Sequence, residues 1–509
     1  MRRHLAVSTR LLAAVAALAV LAAGALAQDA AAVISAAARA IGAENITSIT
    51  YSGSAANINF GQTKSIGGPY ALSTAITNYV RSLDLSRPAS RASGTTLAAQ
   101  VPGFPPPQPG TLNQNIGPNN TAWTQQLEIW TTPWGFLKGA AANNATIRSQ
   151  RISGTRYNVV SWMTPQKAPS GAAYTVRGYI NEANLVARVE TWVEHPILGD
   201  LQVESEYSDY RDFGGAKVPV RIVQKRAGWP TFEATITSAS ANPANIAELM
   251  TPPPPPQRAG GAGGAGGAGG AGGAGGAGGR GGAGGGPPAP PAVGSEKLAD
   301  GVYRITGGYI ALAIEFRDHI LVLEGGQNEA RGLAVIAEAK RVIPNKPVKY
   351  VVNTHPHFDH ASGLAPFVAE GATVITHDNN EDFLEDALSA ARTLVGDALA
   401  KANRKPRIES VGDRKVLRDD TRTVELHHVR DLAHSDGMLV AFLPKERILF
   451  TADFNWPAAG QSVSPFFTTL VANVDRLKLD YEAFVPVHPP IPDRPLTKAD
   501  VMALLKGAP

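Results

Sequence analysis

The sequence predicts an α+β protein in two parts: an antiparallel β-rich domain, then an αββα sandwich of two sheets between helices. Three observations predict it. Apolar and polar residues alternate through much of the first half. Strand-like runs alternate with helical patterns in the second half. A stretch of Pro, Gly and Ala separates the two. The 509 residues suit two or three domains. With 44% hydrophobic and 18% charged residues, each part can bury a core of its own.

Residues 1–27 read as an export signal. Arg2, Arg3 and Arg10 give a positive start, Leu11 to Ala23 is apolar, and Ala25-Leu26-Ala27 is a small-x-small cleavage site. Nothing later is long and apolar enough to span a bilayer, so a periplasmic or secreted protein is expected. Without the three signal arginines the formal charge of +4 falls close to neutral, and no basic stripe points to nucleic acid. With Cys 0, neither disulfides nor thiolate ligands are available.

Residues 28–250 carry the β pattern. Tyr174 to Ile180 and Leu185 to Val193 flank the turn Asn181 to Asn184 as a hairpin. Leu201 to Tyr210, Val218 to Lys225 and Thr231 to Thr237 continue a meander, with Gly214, Gly215 and Gly228 at turns. Residues 85–120, rich in Ser, Pro, Gly and Asn, read as a long loop. Trp123, Trp130, Trp134, Trp162, Trp192 and Trp229 lie in this part. They suit either core packing or a face for an apolar ligand. The segment Asp209 to Pro219 resembles the sheets of periplasmic lipoprotein carriers.

Residues 251–294 form a linker. Pro252 to Pro256 leads into Gly-Gly-Ala repeats from about Ala259 to Gly286, followed by Pro287 to Pro291. The composition predicts a flexible tether with stiffer ends, which lets the two parts move independently unless they pack together. In residues 295–509, Asn328 to Val342 has helical spacing, Val348 to Val352 is a strand, and Leu364 to Glu370 is helical. Thr373 to Thr376 is a strand and Glu381 to Lys401 reads as one long amphipathic helix. Val424 to Val429, Met438 to Leu443, Ile448 to Thr451 and Phe484 to Val487 are further strands.

The chemistry concentrates after the strand Val348 to Val352, in His355-Pro356-His357-Phe358-Asp359-His360. Two His at i and i+2 in extended chain share a face and can grip one metal. Asp359 and His360, past a turn, can face a second. Imidazole and carboxylate suit Zn²⁺. Three more candidates stand near strand ends: His434 in Ala433-His434-Ser435-Asp436-Gly437, Asp453 after Ile448 to Ala452, and His488 after Phe484 to Val487. His319, His377, His427 and His428 read as structural or surface, with His427 or His428 a candidate partner behind a ligand. Phe454 and Trp456 suit either a pocket wall or packing.

The ordered set H-x-H-x-D-H, H-S-x-G, strand-end Asp and strand-end His resembles the metallo-β-lactamase-fold hydrolase superfamily, in its glyoxalase-II-like dinuclear branch. The resemblance implies two zinc ions. His355, His357 and His434 would hold one, Asp359, His360 and His488 the other, and Asp453 would bridge both. It implies a zinc-dependent hydrolase whose metal-bridging hydroxide attacks an ester, thioester, lactone or amide carbonyl of a small-molecule substrate. Asp359, if protonated, would stabilise the leaving group. The family's supporting Asp before the motif strand is absent, and Glu324 is the residue placed to substitute for it. The absence of Cys and the presence of Asp453 argue against antibiotic hydrolysis as the main task. Two alternatives stand beside this reading. One is an iron-dependent dioxygenase of the persulfide type, with one metal on two His and one Asp. The other is an apolar-ligand binding module, with the N-terminal sheet as its site and the metal domain as accessory.

Overall fold

The computed structural model describes residues 30–66, 73–101, 104, 106–252, 293–457 and 462–506. The export signal and most of the Pro/Gly/Ala linker lie outside the described residues. No helix among the described residues is long and apolar enough to cross a membrane.

The N-terminal half is one large antiparallel sheet, described with eleven strands. Ser48–Ile58 lies between Ser73–Asp84 and Trp229–Ala241. From Trp229–Ala241 the sheet runs back strand by strand through Val186–His195 to Thr146–Ile152 at one edge. The other edge is Gly110–Ile116. The hairpin read at 174–193 is present as Ala173–Ile180 and Val186–His195. The helix Pro133–Ala142 starts on the hydroxyl of Thr132, which accepts from Gly135 N, with Pro133 in its first turn. It drives Trp134 and Phe136 into the core beside Trp123 and Trp162. Those indoles are therefore core; Trp229 is exposed.

One expectation fails here. Residues 85–120 are not one long loop but carry the strands Ala89–Ala98 and Gly110–Ile116. Gly110–Ile116 is exposed along most of its length, so it needs no apolar alternation. Its pairing rests largely on backbone hydrogen bonds, which leave no trace in side-chain pattern, with only Leu112 and Ile116 reaching the core.

The C-terminal half has two sheets. The seven-stranded sheet runs in spatial order from Gly294–Ala299 to Ile408–Val411. Its last four strands, Ile320–Leu323, Val348–Val352, Thr373–His377 and Ile408–Val411, are parallel. Leu321 and Leu323 face the second sheet, while Ile320 and Val322 face the helices. That two-sided burial is why the run is continuously apolar. Glu329–Val342, capped by Asn328, and Leu364–Glu370 cover the outer face. The six-stranded sheet contains Thr423–His428, Leu439–Leu443, Ile448–Thr451 and Ala483–Pro486. The helix Phe466–Leu477 adds Phe467, Leu470 and Val474 to the same core.

The helix read over 381–401 is shorter. Asp378–Ser389 ends before Ala390, and Ala398–Ala402 is a separate turn of helix. The intervening chain is drawn to the N-terminal half. Asp200 N donates to Ala391 O at 2.7 Å. The Asp200 carboxylate accepts from Thr393 N at 3.0 Å and Leu394 N at 2.8 Å. Leu394 sits in the N-terminal core, and Ile197 sits in the core beneath the outer helices of the C-terminal half. The buried Arg392 guanidinium pairs with Asp397 and reaches the carbonyl of Pro196 at 2.6 Å. The two halves pack together rather than merely sharing a tether.

Candidate metal centre

Strand direction gathers the candidate ligands at one edge. Ile320–Leu323 and Val348–Val352 are parallel, so Glu324 and the His355 segment leave their sheet on the same side. Ile448–Thr451 and Ala483–Pro486 are parallel, so Asp453 and His488 emerge together. His434 lies in the connection into Leu439–Leu443, which runs antiparallel to Ile448–Thr451 and so begins where that strand ends. Asp453 and Glu324 both adopt positive φ, 58° and 76°, a conformation uncommon outside glycine.

The structure brings all seven predicted side chains into two groups. His355, His357, His434 and Asp453 form one, and Asp359, His360 and His488 the other. Within each, one ligand atom per residue lies within 4.8 Å of the rest. Asp453 faces both. Its Oδ2 is 3.2 Å from His355 Nε2 and 2.6 Å from His434 Nε2. Its Oδ1 is 2.9 Å from His360 Nε2 and 2.6 Å from His488 Nε2. Imidazole nitrogens also converge, as in His355 Nε2 and His357 Nδ1 at 3.1 Å. Nitrogen lone pairs and carboxylates aimed at common points suit a pair of divalent ions.

Electrostatics separate the imidazoles. Burial pulls His355 well below the ordinary histidine range and His357 down to about 4, so both are neutral and ready to ligate. Burial disfavours charge on His360 too, but the carboxylates of Asp453 and Glu324 outweigh it and raise it well above the usual value. Burial also raises Asp453, but the imidazoles of His360 and His355 overcome that and hold it well below the carboxylate range.

Glu324 stands where the sequence placed it. It is fully buried, accepts from Thr354 Oγ1 at 2.7 Å, and lies 3.3 Å from His360 Nδ1. With an ion on Nε2, that contact would keep the remaining His360 proton on Nδ1. Asp359 is held by several partners. Burial raises its pKa, but the His360 hydrogen bond and charge lower it far more. Tyr309 Oη donates to its Oδ2 at 2.9 Å and Gln62 Nε2 to its Oδ1 at 2.5 Å. These contacts hold the free carboxylate below the ordinary carboxylate range.

Tyr309 and Gln62 escaped the sequence reading. No motif marks them, and Gln62 lies some 300 residues from the ligands it meets. Tyr309 stacks edge-on against His488 at 4.2 Å, and burial and the Asp359 charge both raise its pKa, so it keeps its proton. The buried Arg331 holds its loop through the carbonyls of Ile305, Thr306, Gly307 and Tyr309. His427 bonds Glu425 and His428 the carbonyl of Asp436, and neither backs a ligand. Phe454 is buried in the core against Phe467; Trp456 packs on Phe467 under Arg494.

Residues 311–499 match the family model of the Metallo-beta-lactamase superfamily. The C-terminal half carries a metallo-β-lactamase-superfamily domain. The solved structures similar to this chain include a metallo-beta-lactamase from Pontibacter korlensis, 15% identical at a TM-score of 0.33, covering 42% of this chain and 100% of that one. Another is the DIM-1 metallo-beta-lactamase, 13% identical at 0.33, covering 42% and 96%. Among curated proteins, 2,4-dinitroanisole O-demethylase subunit alpha of Nocardioides sp. (strain JS1661) is 24% identical over 199 residues. That match covers 38% of this chain and 54% of the relative, so the chain spans about half the length of the relative it matches.

Proposed function

We propose that the chain is an exported, zinc-dependent hydrolase that adds water to an ester, thioester, lactone or amide. The observation that carries this reading is Asp453, whose two carboxylate oxygens face different clusters of imidazoles. His355, His357 and His434 would hold one ion, Asp359, His360 and His488 the other, and Asp453 would offer an oxygen to each. Such a pair, when bound, supplies a water acidified toward neutral pH and polarises the scissile group.

The protein's own groups prepare the site. Glu324 fixes the tautomer of His360. Tyr309 and Gln62 fix the Asp359 carboxylate from two sides. Asp453 remains ionised, so it competes for no proton of the attacking water.

The O-demethylase relative brings a second substrate class, an electron-poor aryl methyl ether. Water attacking the ring carbon that bears the methoxy group would give the phenol and methanol, with no oxidant. Panels of lactones, thioesters, esters, β-lactams and nitroaryl methyl ethers on zinc-loaded protein separate these classes. His357→Ala and Asp453→Ala should each lose about 100-fold or more in turnover. Full turnover in either variant, or one iron and no zinc in the purified chain, would overturn the reading.

A further inference from the structure

We propose that the N-terminal β domain is part of the active site, and that its segment 59–65, between Ser48–Ile58 and Ser73–Asp84, positions the metal ligands of the C-terminal half. The proposal rests on the metal-centre reading above. The segment touches the turns that bear three of the seven candidate ligands, in both groups.

Gln62 Nε2 donates to Asp359 Oδ1 at 2.5 Å. The carbonyl of Thr63 lies 3.0 Å from His357 Nε2. A carbonyl only accepts, so that contact places the His357 proton on Nε2 and leaves the Nδ1 lone pair toward His355 and the centre. Between these ligands, Phe358 N donates to Gly61 O at 3.1 Å, and the Phe358 ring meets Phe60 edge-on at 5.2 Å. Gly61 has a φ of 81°, and a Cβ there would come within 2.1 Å of the Phe358 ring, so the approach requires glycine. Further along, Asp436 N donates to Lys64 O at 2.9 Å, and the Asp436 carboxylate takes Lys64 Nζ at 3.1 Å and the Ser65 hydroxyl. Asp436 stands two residues beyond His434.

A second N-terminal contact lies beside the same ligand. Phe104 meets Phe466 edge-on at 5.2 Å, and Phe466 packs against His434 at 5.3 Å. A domain that merely accompanied the enzyme would not supply a side-chain donor to Asp359 and a carbonyl to His357. Gln62 is therefore a positioning residue.

The test uses the full-length protein, with Zn²⁺ affinity measured by chelator competition and the Co²⁺ absorption spectrum as a geometric signature. Gln62→Ala should weaken binding at the weaker of two sites about 10–100-fold and shift the cobalt spectrum. Gln62→Glu keeps size but not the donor, so it should lose at least as much. A purely steric role would leave Gln62→Glu unchanged. Gly61→Val, which pushes the segment away, should reproduce both effects; circular dichroism checks that each variant folds. Two ions in the parent with unaltered affinity and spectrum in all three variants would overturn this inference alone. A parent that binds no metal would overturn the metal-centre reading, and this inference with it.

Discussion

At the scale of single residues, a buried histidine outside the candidate ligand set makes a measurable demand. His195 lies between the two halves, its ring 4.7 Å from Phe358, with Nδ1 accepting from Ile197 N and Leu198 N. Burial, then the charges of Arg226 and Arg392, lower its pKa to about 3. The folded state thus binds this proton less readily than the unfolded chain. Its contribution is complete above the unfolded value of about 6.5 and is lost as pH falls toward about 3, by roughly 1 kcal/mol per pH unit. His195→Asn keeps an acceptor for the two amides and removes the titration. Its unfolding free energy between pH 7 and pH 5 should therefore fall less steeply than the parent's in urea titrations; an identical slope would sink the assignment. Single residues were also where the sequence was most and least readable. The seven candidate ligands stand at short, ordered spacings beside strand ends, so chemistry exposed them. Gln62 and Thr63 act through distance in space, and neither residue type announces it.

At the scale of elements, Arg331 shows how a helix disciplines a loop. Its position on Glu329–Val342 lets one guanidinium hold four carbonyls of the 305–309 turn that presents Tyr309. Arg331→Met should cost about 3 kcal/mol in chemical denaturation, because buried carbonyls lose charged donors. It should also weaken metal uptake, since Tyr309 and hence Asp359 lose their support. Unchanged stability would show that those carbonyls find other partners. Elements with an apolar pattern were legible, such as Val348–Val352 and the hairpin around Asn181. The two failures are at Gly110–Ile116, an exposed edge strand paired through its main chain, and at 390–397, where contacts with the N-terminal half set the chain's course; residue types record both poorly.

At the scale of the molecule, the contact between halves changes what the linker does. Asp200, Ile197 and Pro196 engage the 391–397 segment, while Gly61 to Ser65 engage the metal centre. A chain cut once by a protease site inserted between residues 253 and 292 should still elute as a single species of the parent size and retain its bound metal. Separation into two pieces on size exclusion would show that the linker, not the interface, holds the halves together.

The hydrogen bond from His357 to residue 63 ends on a main-chain oxygen. Every amino acid carries that oxygen, so no exchange of side chain at position 63 deletes it. Random point mutation can sample all alternatives there without touching the contact, whereas one inserted or deleted residue between 59 and 65 shifts it out of register. At position 63, variation in metal handling should therefore follow the length of that short stretch rather than the residue type, whereas at Gly61 and Gln62 the residue type counts as well. Libraries that vary loop length as well as composition are the ones that would reach this contact.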